Sequence, residues 1–408
     1  MLNVVMVGCS VQIIRAIEHG ERDIRVFVVD DPDVIDKRGL HDLTERFRCV
    51  ERVVAAPVQN EPWVDVPLPK GFTFQAALPG TEYGVPGAAV LSSKLGLRGL
   101  SARLGVAFRN KAVQRVFAES LQVAQPAFAE CASYRELVGA FRALRTRCIV
   151  KPVDAQGSSG ITTVSQPEEL AEAWFRATQL SSDVTRASRG RGRTALIEEY
   201  VEGPEFSVEA ELSSGVLVNM NVTRKRVLDG AFPVEIGHSL PVADERITRP
   251  IFEELGKLVC GMGASTAFLH SEWRIRHGRA VLMECAARLP GDNIMDLIDH
   301  AYDISVVDEF IQLHASPEAP SRWLPRRGAA IRFIGAKKGR LISIEGLENA
   351  QNSEGVIYAG VEVHPGDELE DMTMSDHRYG LCMTVGRDEY RAAARAERAA
   401  EGVQFVVR

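Results

Sequence analysis

The chain has 408 residues, of which 45% are hydrophobic, 25% charged and 7% aromatic. This is ordinary globular composition and excludes disorder, collagen and coiled coil. A net charge of −7 without a dense basic block argues against a general nucleic-acid binder. No run approaches the ~20 apolar residues of a membrane span. Seven scattered cysteines without a C-x-x-C pair suit reduced thiols, so a cytoplasmic protein of two or three domains is expected.

Asn3–Val7 reads as a buried first strand and not a signal peptide, Val11–His19 as a helix, Arg25–Val29 as a second strand and Val50–Val54 as a candidate third. Strands alternating with helical patterns imply parallel βαβ packing. The turn Gly8-Cys9-Ser10 holds one glycine and is not G-x-G-x-x-G, which counts against a dinucleotide site. Pro57 to Gly87 reads as loops around a strand over Thr73–Leu78, followed by a helix over Gly87–Leu95. Asn110 suits the N-cap of a helix over Lys111–Ser120. Tyr134–Leu144 and Pro167–Gln179 are helical, while Cys148–Lys151 and Ile161–Val164 are strands. The polar, basic run Ser181–Arg193 reads as a mobile loop, and Ala195 to Cys285 is strand-rich. Helices near Asp292–His300 and Ser305–Leu313 precede a Pro-rich linker, and Ala329–Arg408 reads as a small antiparallel sheet carrying one helix, Glu389–Ala400.

Chemistry concentrates in the middle of the chain. Lys151 ends a strand and leads into Gln156-Gly157-Ser158-Ser159-Gly160. Successive backbone N–H groups of such a loop can cradle phosphate oxygens, with the lysine as counter-charge. The same segment also reads as an ordinary hairpin with a flexible tip. Glu198-Glu199-Tyr200-Val201 then runs into Gly203-Pro204-Glu205, where Glu205 is placed to accept two ribose hydroxyls; Glu199, Glu202 and Glu209 equally fit the wet side of a sheet. Phe268–Ile275 and Ala280–Arg288 flank a turn at His277-Gly278. With an odd number of turn residues centred on Gly278, Glu272 and Glu284 become cross-strand partners about 5 Å apart. Two bare carboxylates so close repel each other, and a divalent cation is the usual reason to tolerate them.

The ordered set Lys111, Lys151 with its Gly/Ser loop, Glu198–Val201 with Glu205, Glu272, Glu284 and Arg288 resembles the ATP-grasp ligases. Within them, Ala77-Leu78-Pro79-Gly80-Thr81-Glu82, Leu95–Gly99, Pro233–Pro241 and Arg288-Leu289-Pro290-Gly291-Asp292 resemble the L-amino acid (dipeptide) ligase branch. The segment after Ala329 resembles that branch's terminal domain. The resemblance implies an α/β chain, α+β in its central and C-terminal parts. It implies a Rossmann-like domain over 1–107, a lid domain over 108–193 and a catalytic domain over 194–408 that includes an antiparallel subdomain over 325–408.

By the same resemblance, Lys111 and Lys151 contact the ATP phosphates, and Gln156, Gly157, Ser158, Ser159 and Gly160 close over them as a lid. Glu198, Glu199, Tyr200 and Val201 bind adenine, largely through backbone groups, and Glu205 binds the ribose. Glu272 and Glu284 hold one or two Mg²⁺ ions; Ala286 stands where many ATP-grasp enzymes have an asparagine ligand, so water is expected to replace it. Arg288 stabilises an acyl-phosphate and the attacked carbonyl. Glu235 and His238 orient and deprotonate an amine, and Glu82 and Gly291 are further substrate-site candidates. Lys225 or Arg224 either meets phosphate or a substrate carboxylate, or lies on a solvated strand face. The implied activity is ATP-dependent amide formation between a small-molecule carboxylate and an amine by a homodimer, with release of ADP and phosphate. The competing readings are a carboxylase or purine-pathway ligase, a Rossmann oxidoreductase, and a non-catalytic ATP-binding regulator, which would be expected to have lost Glu284 or Arg288.

Overall fold

The computed structural model describes all residues except 60–62, 158–159, 180–182, 189–193, 229–233 and 319. Ser158 and Ser159, expected in the lid, therefore lie outside the described residues, as does much of the expected loop over 181–193. Four parallel strands, in the order Val50–Ala55, Ile24–Asp30, Leu2–Val7 and Ala76–Pro79, form the first sheet. The last strand starts later than expected, because its ladder begins only where Ala76 faces Val4. Before that point, the Asn3 side chain donates to the Thr73 carbonyl and the Gln75 side chain accepts from the Asn3 amide. Ser10 caps the helix Val11–His19 by accepting from the Ile13 amide, and Ile13, Ile14 and Ile17 are buried. That apolar layer continues into the second half of the chain. The helices Ile294–Tyr302 and Val306–Ala315 bring Leu297, Ile298 and Phe310 into one core with Met6 and Ile14. The residues before 107 thus share their core with chain far downstream.

A second sheet orders Phe128–Cys131, Ala195–Glu199, Cys148–Pro152 and Thr162–Val164 as four antiparallel strands. Leu137 and Leu170 from the helices Tyr134–Leu144 and Leu170–Gln179 fill its apolar face. The third sheet has eight antiparallel strands, running from Arg279–Ala286 at one edge through Ala267–Arg276, Glu205–Ser213, Val216–Val227 and Glu235–Leu240, and on to Gly328–Ile334, Gly380–Gly386 and Val356–Val361. The expected antiparallel terminal strands divide between two sheets. Gly328–Ile334 pairs with Glu235–Leu240, so three terminal strands extend the central sheet, and only Gly339–Glu345, Glu368–Leu369 and Gln404–Val407 form a sheet of their own. Among the described residues no helix is long and apolar enough to cross a membrane.

The hairpin that carries the two glutamates also departs from expectation. Its turn has two residues, His277 (φ +52°) and Gly278 (φ +74°), both left-handed as a tight primed turn requires. With Arg276 opposite Arg279, that turn alone would set Glu272 against Met283. A bulge at Met283 adds one residue to the edge strand and places Glu284 opposite Glu272. The helix Lys111–Ser120 holds this bulge. Arg115 donates to the carbonyls of Leu282 and Met283, each at 2.7 Å, and the Gln114 amide both donates to and accepts from the Cys285 backbone.

Candidate active site

The three sheets meet around a cavity of about 360 Å³. Asn110 caps the helix Lys111–Ser120 by accepting from the amides of Ala112 and Val113, which places Lys111 in the first turn. There its backbone N–H donates to Val153, and its Nζ reaches the Ala155 carbonyl at 2.7 Å and Glu284 Oε1 at 2.8 Å. Burial alone would depress the Lys111 pKa, but Glu284 and Glu82 outweigh it and raise it. Burial works against ionised Glu284 as well, and Lys111 and Lys151 overcome it, holding the carboxyl at about 2. Lys151, on the strand Cys148–Pro152, is 2.8 Å from Glu198 Oε2, yet burial leaves its pKa below the usual lysine value.

Glu82 enters from the loop after the parallel strand Ala76–Pro79. Gly84 lets that loop lie on the first strand, since a Cβ there would collide with the Val7 carbonyl. Glu82 is buried and lies 3.0 Å from Arg288 and 3.8 Å from both Lys111 and Arg109.

Lys225, on the strand Val216–Val227 of the central sheet, is a third buried lysine. Its Nζ lies 2.5 Å from Glu235, 2.7 Å from Glu272 and 3.1 Å from Glu205. Burial opposes its charge, but the three carboxylates hold its pKa well above the ordinary lysine value. Burial raises the Glu235 carboxyl against the pull of Lys225. Arg224, one residue away and so on the opposite face, instead pairs with Glu389 at 2.9 Å. The open alternative is thereby resolved: Lys225 faces the cavity and Arg224 does not.

His238 stands opposite Lys225 across the ladder, with Nε2 3.7 Å from Glu235 and 3.6 Å from Asp292. Asp292, in a left-handed conformation at φ +54°, takes two hydrogen bonds from Arg378, at 2.8 and 3.0 Å. Burial would raise the Asp292 carboxyl, but His238 and Arg378 hold it far below the usual carboxylate range. Arg378 also lies 4.2 Å from the centre of the Phe333 ring.

The cavity thus gathers Lys111, Lys151, Gln156, Gly157, Glu235, Glu272, Glu284, Arg288, Gly291 and Glu82 of the expected residues. At Gly160 a Cβ would press on the Arg176 carbonyl and Pro152. Glu198, Glu199, Tyr200, Val201 and Glu205 do not line this cavity. The Glu198 side chain is spent between Arg115 (2.6 Å) and Lys151, and Glu199 pairs with Arg276 at 2.5 Å. The backbone amides of Glu199 and Tyr200 donate to the carbonyls of Ala127 and Arg147 at the end of the second sheet. Glu205 pairs with Arg274 (2.8 Å), which also donates to the Val201 carbonyl and lies 5.3 Å from the Tyr200 ring centre. These side chains position lysines and arginines in this structure.

The described part of the expected mobile loop is anchored. Asp183 accepts from the Tyr83 hydroxyl and from Gln156, and Arg186 pairs with Asp154 at 2.5 Å. The amides of Ala187 and Ser188 donate to Gln59 and Asp33 of the first domain.

Sequence reasoning missed His270, Asp292 and Arg378 of this cavity, and with them Ser375 and Asp376. His270 lines it with Nδ1 3.1 Å from the fully buried Glu209, which also takes hydrogen bonds from Ser207, Asn221 and Thr223. Glu209 is thus buried inside the sheet and not on a wet face. Asp292 had no signal beyond its motif, and Arg378 none, because their pairing joins positions 86 apart. Glu272 and Glu284 offer hard oxygen donors on one wall, each already matched by a lysine. That donor set fits a Mg²⁺ shared between carboxylates and phosphates, and Ala286 beside them adds no donor.

A four-stranded antiparallel sheet and a long antiparallel sheet around a cavity of lysines and glutamates define an ATP-grasp architecture. Residues 144–296 match the family described as ATP-grasp domain, and residues 332–408 match L-amino acid ligase C-terminal domain 2. The chain therefore carries an ATP-grasp domain, and its last segment resembles the L-amino acid ligase branch. It superimposes on an L-amino acid ligase from Bacillus licheniformis with a TM-score of 0.77, at 18% identity over 100% of this chain and 99% of that one. For N5-carboxyaminoimidazole ribonucleotide synthetase from Thermotoga maritima the TM-score is 0.67, at 15% identity over 100% of both chains. A D-alanine–D-alanine ligase from Marinobacter nauticus is 34% identical over 138 residues, 33% of this chain and 35% of that protein. An uncharacterized protein of Sinorhizobium fredii is 22% identical over 73% of this chain and 61% of its own length. The matches therefore span less than two thirds of these curated relatives.

Proposed function

We propose that the protein is an ATP-dependent ligase that joins a small-molecule carboxylate, an amino acid, to an amine or a second amino acid. The observation that carries this reading is that the segment matching the L-amino acid ligase terminal domain reaches the cavity itself, through Ser375 and Arg378. A substrate carboxylate oxygen attacks the γ-phosphorus of ATP and ADP leaves. The amine nitrogen then attacks the acyl-phosphate carbonyl, an amide forms and phosphate leaves. Lys111 and Lys151 bind the phosphates, and Gln156 and Gly157 cover them and exclude water, which would otherwise consume the acyl-phosphate. Arg288, steadied by Glu82, faces the developing oxyanion. Glu235, raised by burial and so a readier base, takes the amine proton, with His238 behind it. Glu272 and Glu284 would hold Mg²⁺, which when bound neutralises phosphate charge.

Carboxylase chemistry is the second reading, favoured by the similarity in fold to the carboxyaminoimidazole synthetase. Incubation with ATP and Mg²⁺ and paired amino acids, with mass detection of the amide, tests the choice. Amide formation together with ADP supports the ligase. ADP release that depends on bicarbonate and yields no amide overturns it.

A further inference from the structure

A second cavity of about 330 Å³ adjoins the first, and Asp292, Ser375, Asp376 and Arg378 line both. The two differ in charge. In the inner cavity five of the six lining carboxylates have a cation: Glu82 has Arg288, Glu284 has Lys111, Glu235 and Glu272 share Lys225, and Asp292 has Arg378; the sixth, Asp376, stands where the two cavities join. In the outer one, Arg378 is the only basic lining residue among those described, and it is committed to Asp292 and to the Phe333 ring. Glu362 and Asp376 remain, both exposed and with no cationic partner among the described residues. Tyr358, whose ring is 52% exposed, stands on the same wall. Two uncompensated carboxylates beside an open aromatic ring favour an organic cation.

A separate observation points to a ligand at the partition. The His238 ring is buried with neither nitrogen in a hydrogen bond, and its Nε2 lies 3.6 Å from the Asp292 carboxylate that separates the two cavities. Nε2 has the Asp292 and Glu235 carboxylates within ion-pair distance, so a polar group entering between the cavities would supply the hydrogen bond that buried Nδ1 lacks.

We propose that the outer cavity is a specificity chamber for the distal cation of one substrate, an ammonium or guanidinium group carried beyond the reacting group. This rests on the ligase reading, and it names that substrate as an amino acid with a basic side chain. The reacting end lies in the inner cavity, and the side chain passes Asp292 and Arg378 to place its cation between Glu362 and Asp376. Neutral and acidic amino acids leave the two carboxylates unmatched.

The full-length protein loaded with ADP and Mg²⁺ is titrated calorimetrically with L-lysine, L-arginine, L-alanine, L-glutamate and spermidine. L-lysine or L-arginine is expected to bind about tenfold more tightly than L-alanine, and the double variant E362Q/D376N is expected to bring that ratio close to one. Both substitutions are at exposed positions, and an unchanged melting temperature shows that the fold is intact. Spermidine, which lacks a carboxylate, is expected to bind more weakly than lysine; equal binding would identify a polyamine as the source of the cation. Equal affinity for alanine and lysine, or a preference that survives in E362Q/D376N, overturns the assignment. A basic preference in binding without amide from any pair sinks the ligase reading alone.

Discussion

Arg115 donates its Nη2 to the carbonyl of Met283, the extra residue that brings Glu284 opposite Glu272. The same guanidinium neutralises Glu198, which in turn holds Lys151. One fully buried arginine therefore sets both the carboxylate pair and the position of Lys151.

Arg115→Met should cost about 3–5 kcal/mol, since it strands Glu198 with one partner and frees two carbonyls. Arg115→Lys keeps the charge but loses the forked contacts, and should cost about 1–2 kcal/mol. Urea denaturation of the two variants checks the order; equal losses would count against the bulge-holding role.

Lys225→Gln leaves Glu205, Glu235 and Glu272 clustered without their shared cation. Like charges raise carboxyl pKa values in the folded state above the unfolded ones. Stability of the variant is then retained at acidic pH and lost as pH rises through those folded values. A deficit of about 3 kcal/mol at pH 8 that shrinks towards pH 5 is expected from denaturation curves at the two pH values.

Glu284→Gln keeps an oxygen facing Lys111 but removes the charge a divalent cation needs. ADP release should fall about 10²-fold or more, with little change in melting temperature. Turnover close to wild type over a Mg²⁺ titration would remove Glu284 from the metal site.

Arg288→Ala should lower amide synthesis by about 10²–10³ while nucleotide affinity changes little, because the lost charge acts on the developing oxyanion. Ion-exchange analysis of the nucleotide products accompanies the assay. AMP as the main product would overturn attack at the γ-phosphorus.

Glu211, buried on the strand Glu205–Ser213, is pushed by burial up to about 7, although Asn219 donates to it. Unfolded, its carboxyl ionises near the ordinary 4.5. The unfolded state therefore releases this proton first, and the residue's contribution to stability falls as pH rises to about 7, then levels off. Glu211→Gln keeps the acceptor and removes the titration. The variant should gain on the order of 2 kcal/mol over the wild type between pH 5 and pH 8. Parallel stability–pH curves for the two proteins would refute the shifted carboxyl.

Much of this protein is decided by short-range physics that the sequence carries by itself. Ser10 and Asn110 cap their helices because a side-chain oxygen reaches amides two or three residues on, and that reach needs no other part of the chain. The apolar runs Leu2–Val7 and Ile24–Asp30 specify buried parallel strands for the same local reason. Lys111, Lys151, Glu272, Glu284 and Arg288 are legible from their residue types and order along the chain, and the structure brings all five to one cavity. What the sequence leaves open depends on contacts between distant positions. The pairing of Glu272 with Glu284 comes from a bulge held by Arg115, 168 residues away from Met283, and not from the turn. Whether Lys225 is solvated or buried depends on three carboxylates supplied by three separate strands. The terminal strands join the central sheet because the edge of Glu235–Leu240 is open to Gly328–Ile334, a pairing across nearly a hundred residues. Burial and charge compensation are properties of the assembled fold, so only the tertiary structure could decide which carboxylates are matched by a cation and which, like Glu362 and Asp376, are not.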